Sequence, residues 1–159
     1  MTTFKPSTYK KAIINLKHTF YDLVIIGSGI SGLSAASFAR DLNKKTLIVD
    51  KGFYPGGRLS SKNLAEFKCD YGSKSFSIQS DNFYQFLTKN AENSFSLKLD
   101  PIKYTKVVIG NPCMRQLILS LAKNLNVLQK TEVSEIIHDD SCYQIKNGSK
   151  VLAMAKKII

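Results

Sequence analysis

Three glycines, one carboxylate and one arginine carry most of the chemistry legible in this chain. Gly27-Ser28-Gly29-Ile30-Ser31-Gly32 has the spacing G-x-G-x-x-G. The string is weak by itself and gains meaning from an apolar run before it and a helical pattern after it. In that setting each glycine has a task. Gly27 lets the chain turn sharply, Gly29 has no Cβ and so admits a phosphate to the backbone, and Gly32 lets a helix pack closely on a sheet. The backbone N–H groups from Ser28 through Ile30 and Ser31 to Gly32 then stand at the positive end of a helix dipole, which favours an anion. Asp50 follows 18 residues after Gly32. A carboxylate there can accept hydrogen bonds from an adenosine ribose and repels a 2′-phosphate. The pattern points to a bound dinucleotide without distinguishing FAD from NAD.

These residues need elements to hold them. Tyr21–Ile26 is a near-continuous apolar run of strand length, as expected for a parallel strand buried on both faces. From Gly32 onward, Leu33, Ala35, Ala36, Phe38, Ala39 and Leu42 follow helical spacing, and Thr46–Val49 reads as a second buried strand. Strand, helix and strand make one βαβ unit, with parallel strands and a right-handed crossover. Farther along, Phe67–Tyr71 reads as a short strand, Asp81–Asn90 as a helix capped by Asp81, and Phe95 to Leu99 as a strand by alternation. Asn111–Leu125 is the strongest helical pattern, with Asn111 as its cap, Pro112 at its first position and a stripe of Met114, Leu117, Ile118, Leu121 and Leu125. Asn126–Gln129, Glu132–Ile137, Cys142–Lys146 and Lys150–Ala155 read as strands, the last two joined by a turn at Asn147-Gly148. The fold class expected is α/β: a Rossmann-like parallel sheet with its βαβ unit, plus a β-meander.

Beyond Asp50, the segment Lys51-Gly52-Phe53-Tyr54-Pro55-Gly56-Gly57-Arg58-Leu59-Ser60-Ser61 supplies two glycines that let the backbone pass close to a ligand. It also supplies Arg58, whose guanidinium can face a pyrophosphate. This segment resembles the G-G-R-x-x-[ST] signature of the amine-oxidase superfamily of flavoproteins. Asp70-Tyr71-Gly72-Ser73-Lys74-Ser75-Phe76 is similar to the D-x-G-a-x-x-F element of that superfamily's renalase-like branch, whose members are FAD- and NAD(P)-linked oxidoreductases. Tyr104–Met114 resembles the branch's Y-x-x-x-P-G-M segment, with Cys113 in place of the glycine. The resemblance implies FAD as cofactor, with NAD(P) as an electron donor. It implies Lys51, Gly57 and Arg58 near the cofactor, Gly72 towards its flavin end, and Val133, opening a strand, against adenine. It further implies hydride transfer from an amine or an NAD(P)H-like small-molecule reductant. No catalytic acid or base stands out; His138, beside Asp139 and Asp140, reads as exposed.

Composition narrows the alternatives. The 159 residues suffice for one domain, and no apolar run approaches membrane-spanning length. Net charge is +11, from 23 Lys and Arg against 12 Asp and Glu, but the lysines are scattered, as at Lys51, Lys74, Lys89, Lys103 and Lys146. That distribution reads as a solvated surface rather than a nucleic-acid face. Three distant cysteines without C-x-x-C imply reduced thiols and a cytoplasmic protein, and two histidines offer no metal cluster. Residues 1–20 read as a basic extension and 21–159 as the FAD/NAD(P)-binding domain, with an insertion of substrate-domain character beginning around 77–106. Superfamily members are longer. The expectation is therefore a fold truncated before its substrate domain is complete, supplemented by a second chain or else a non-catalytic FAD- or dinucleotide-binding fragment. The final Lys156-Lys157-Ile158-Ile159 matches no element.

Overall fold

A computed structural model of the protein describes residues 19–139 and 141–159, apart from the side chains at positions 63, 64 and 68. The basic extension expected over residues 1–20 therefore falls almost wholly outside the described residues, as does Asp140.

The apolar run forms β1 (Phe20–Ile26), α1 spans Ile30–Asp41 and β2 spans Thr46–Val49. β1 and β2 pair in parallel, with Leu23 opposite Thr46 and Ile26 opposite Val49. The expected helix starts two residues early: Gly29 is its N-cap, with φ −67° and ψ 174°. Val24, Ile25, Leu33, Leu47 and Ile48 are at most 1% exposed. Burying each such side chain stabilises the fold by roughly 1.5–3 kcal/mol, which is why strand and helix lock together where they do.

Two hairpins follow. β3 (Ser61–Leu64) pairs antiparallel with β4 (Phe67–Asp70). β5 (Phe76–Ile78), β6 (Phe95–Leu99) and β7 (Lys106–Gly110) form a three-stranded antiparallel sheet in the order β5-β7-β6. The helix α2 (Asp81–Ala91) falls between its first two strands in sequence. The cap of α2 is Ser80, not Asp81: the Ser80 hydroxyl accepts from the Phe83 amide at 3.3 Å. Asp81 instead adds a negative charge to the first turn, where the dipole favours it. Ile78, Leu87, Ala91 and Val108 of this unit share one core with Ile25, Leu33 and Ile48 of the βαβ unit.

The strongest helical pattern gives α3, but over Met114–Ala122 rather than from Asn111. Asn111 and Pro112 lie in the preceding turn, and Cys113 is the N-cap position with no side-chain cap bond. The amides at the helix start are bonded from outside: Met114 donates to Asp70 Oδ1 at 3.1 Å and Arg115 to Ser61 Oγ at 2.9 Å. A cap supplied by the β3–β4 hairpin makes a local one unnecessary. Cys113 sits in extended backbone, φ −159°, a conformation open to any residue. Met114, Leu117, Ile118 and Leu121 are fully buried, and Leu125 packs against the same core from just beyond the helix.

β8 (Val127–Leu128), β9 (Glu135–His138), β10 (Tyr143–Asn147) and β11 (Lys150–Ile158) complete the main sheet. Its order is β8-β2-β1-β11-β10-β9. β9, β10 and β11 run antiparallel as the expected meander, although the hairpin turn is Gly148-Ser149, since Asn147 pairs with Lys150. The last nine-residue strand does double duty. Its first part pairs with β10, and its second part enters the parallel sheet beside β1, with Phe20 opposite Met154 and Val24 opposite Ile158. The ending that matched no element is thus the fourth parallel strand. A second core, Tyr21, Val24, Leu47, Val49, Ile145, Leu152, Ala153 and Ala155, brings the meander together with β1 and β2.

Candidate functional site

The strand β1 delivers the chain to Gly27, whose φ of +105° is open to glycine and strained for other residues. The Gly27 amide is spent on the Val49 carbonyl at 2.8 Å, tying the turn to the end of β2. Gly29 and Gly32 differ sharply. A Cβ on Gly32 would lie 2.1 Å from the Gly27 carbonyl oxygen, so the first helical turn can close on the strand end only without one. A Cβ on Gly29 would meet nothing within 4 Å, and the backbone there has an ordinary φ of −67°. The chain's own packing makes no demand for glycine at position 29, and the open side of the turn faces the N-terminus of α1. Ile30 is half-buried and Ser31 exposed at that end.

Asp50 follows the last residue of β2 and points back at the turn. Its Oδ2 accepts from the Ser28 amide and from the Ser28 hydroxyl, both at 2.5 Å, and its Oδ1 accepts from the Gly52 amide at 2.6 Å. Desolvation raises the Asp50 pKa. The Ser28 hydroxyl, the Ser28 and Gly52 amides and the neighbouring Lys51 charge outweigh it, so the carboxyl titrates below its ordinary value. Ser28 is fully buried, so its side chain serves Asp50 rather than open space.

The loop after Asp50 folds onto the glycine turn. The Gly56 amide donates to the Ser28 carbonyl at 2.9 Å, and Gly29 and Gly56 form an isolated parallel bridge. Gly57 is exposed with φ +55°, and a Cβ on it would lie 3.6 Å from the Gly29 Cα. Arg58 is exposed and its side chain makes no hydrogen bond or ion pair among the described residues, so its guanidinium is free to meet an anion. Gly72 packs against this loop: a Cβ there would lie 2.1 Å from the Arg58 carbonyl oxygen. That same carbonyl accepts from Ser73 at 2.8 Å. From the far side, Lys130 donates to the Gly52 carbonyl at 2.9 Å and Thr131 to that of Asp50 at 3.0 Å. Val133, half-buried against the second core, lies two residues beyond Thr131. Val133 does not open a strand, since β9 begins at Glu135.

The structure thus brings the glycine turn, Asp50 and the Gly56-Gly57-Arg58 loop together at the carboxyl ends of β1 and β2, sets Gly72 against that loop, and packs Val133 on the second core. Arg115 went unnoticed in the sequence. Its guanidinium donates to the Ser61 carbonyl and lies 4.9 Å from the centre of the Tyr54 ring. Arg115 and Tyr54 help line a cavity of about 380 Å³ that begins at Asp50, Lys51 and Gly57. A lone arginine in the first turn of a helix carries no sequence signal for such a position. Among the described residues no group of three His, Cys, Asp or Glu could hold a metal ion, and no helix is long and apolar enough to cross a membrane.

A strand, a glycine turn, a helix N-terminus and an acid at the end of the adjacent parallel strand define a Rossmann-like dinucleotide-binding fold. Residues 25–89 match the family model of the NAD(P)-binding Rossmann-like domain. A carotenoid 3,4-desaturase of Haloarcula japonica is 29% identical over 83 residues, which are 50% of this chain and 17% of the desaturase. A putrescine oxidase redesigned in its cofactor binding shares the fold with a TM-score of 0.70 at 10% identity, over 89% of this chain and 57% of that one. A CLA-producing fatty acid isomerase from P. acnes does so with a TM-score of 0.70 at 9% identity, over 87% and 58%. This chain thus spans little more than half the length of those two structures.

Proposed function

We propose that this chain binds FAD, seating the ADP half at the turn Gly27–Gly32 with Asp50 towards the ribose, and that it is the cofactor-binding part of an amine-oxidase-like, renalase-like oxidoreductase. The observation that carries the reading is Gly29. Its dihedrals suit any residue and a Cβ there would meet only open space, so its lack of a side chain benefits something outside the chain. That open side adjoins the N-terminus of α1, where first-turn amides and the helix dipole favour a pyrophosphate. Exposed Arg58 supports the same polarity. Lys51, Gly57, Gly72 and Val133 would border the rest of the cofactor. FAD, when bound, would supply the hydride-accepting chemistry; the residues here would bind and orient it. The donor, an amine or NAD(P)H, belongs to the proposal for the whole protein.

Titration of the purified chain with FAD and with ADP, followed by flavin fluorescence and calorimetry, tests the first part. Saturable binding of both, lost in Gly29→Leu while the fold is kept, is expected; indifference to both ligands would refute it. Adding amine or NAD(P)H donors to the complex tests the second part. Bleaching of the flavin absorbance supports turnover by this chain, and retained but unreduced FAD supports a binding module without activity of its own.

A further inference from the structure

The second position of the glycine motif is not a spacer here. Ser28 is fully buried, and its hydroxyl and its amide both converge on one oxygen of Asp50, each at 2.5 Å. Among the described residues the other oxygen accepts only the Gly52 amide, at 2.6 Å. An ionised carboxylate offers about four acceptor sites, two on each oxygen. Oδ2 is thereby filled and Oδ1 keeps one site. Asp50 also lines the 380 Å³ cavity beside Lys51 and Gly57, so the carboxylate is partly open to a ligand.

We propose that Ser28 is a positioning residue: its hydroxyl locks Asp50 Oδ2 to the glycine turn and leaves Oδ1 to take a single ribose hydroxyl. The inference rests on the reading of this surface as a nucleotide site. The Ser28 and Gly52 amides hold one oxygen each, and the Ser28 hydroxyl adds a second donor to Oδ2 that opposes rotation of the carboxylate towards the neighbouring cations. Lys51 follows it in the chain, Arg115 of α3 lines the same cavity, and Lys130 lies on the adjoining segment that bonds to Gly52. Ala or Gly at position 28 would keep the two amide bonds and lack that second donor. The hydroxyl also stabilises the charged form of Asp50, which a ribose hydroxyl needs as acceptor.

The test uses Ser28→Ala, Asp50→Ala and the double variant in the whole chain, with two independent measurements. Carboxyl-carbon NMR follows the titration of Asp50, and calorimetry with ADP gives the affinity. In Ser28→Ala the Asp50 midpoint should rise, and ADP should bind about tenfold more weakly. In the Asp50→Ala background, Ser28→Ala should change the ADP affinity no further. An unmoved Asp50 midpoint, or an equal loss of affinity in the Asp50→Ala background, would overturn the positioning role. A midpoint that rises in a protein that binds neither ADP nor FAD would uphold the tether and overturn the nucleotide reading.

Discussion

Glycine-to-alanine exchanges at positions 29 and 32 separate a ligand's demand from the chain's own. At Gly29 two small terms oppose each other. Alanine restricts the unfolded chain, which stabilises by about 0.4–1 kcal/mol. Alanine is also a poorer N-cap than glycine by roughly the same amount. No clash is added, because a Cβ there meets nothing within 4 Å. The net change in stability should stay within about 1 kcal/mol, or roughly 2–4 °C in Tm for a chain of this size. At Gly32 the Cβ would lie 2.1 Å from the Gly27 carbonyl oxygen and 3.2 Å from its carbon, both backbone atoms that no rotamer change can move. Forced overlap of that kind costs about 3 kcal/mol or more, so Tm should fall by roughly 6–12 °C. Ligand binding should follow the reverse order for its size: Gly29→Ala, though well folded, should lose at least about tenfold in FAD and ADP affinity, equivalent to about 1.4 kcal/mol. Differential scanning fluorimetry and calorimetry on the same preparations measure both quantities. A Gly29→Ala protein that binds FAD like the parent would refute the argument that position 29 is left bare for a ligand. A Gly32→Ala protein of parental stability would refute the packing argument.

Other outcomes follow from the same geometry. Asp50→Asn keeps the size but presents an N–H₂ group to converging donors from Ser28 and Gly52. It should cost about 1–3 kcal/mol in urea denaturation at neutral pH. Because the Asp50 pKa is lowered on folding, the unfolded chain binds the extra proton; its stabilisation is complete above the ordinary carboxylate value and fades as pH falls through the folded one. Part of the acid loss of stability should therefore vanish in Asp50→Asn. Ser80→Ala removes the side-chain cap of α2 and should cost about 1 kcal/mol, with faster amide exchange at Phe83. Asp139, whose carboxylate accepts from the Ser141 amide first and also from the Ser141 hydroxyl and Cys142 amide, should titrate at about 2 by NMR, and Ser141→Ala should raise that midpoint.

Local physics made the βαβ unit legible. Leu23 to Ile25 and Leu47 to Val49 are apolar on both faces because the strands they form pack into a core on each face. Spacing within the chain located the glycine turn, the acid of Asp50 and the Gly56-Gly57-Arg58 loop. What residue order cannot carry is the identity of a partner far along the chain. Asn111 and Pro112 look like a helix start by every local rule, yet α3 begins at Met114, because Asp70 and Ser61 from a distant hairpin bond its first amides. The ending Lys156 to Ile158 cannot be placed from residue order because its partner is β1, far earlier in the chain, while the first part of the same strand pairs with the nearby β10.

Ser28 marks the same boundary inside the site. Residue order alone puts residue 28 between two glycines ahead of a helix and Asp50 at the end of the next strand. That the two meet follows from the folded chain: the parallel pairing of β1 with β2 brings their carboxyl ends side by side and buries the Ser28 hydroxyl against the carboxylate. A hydrogen bond across 22 residues is set by strand register, which no local residue preference encodes.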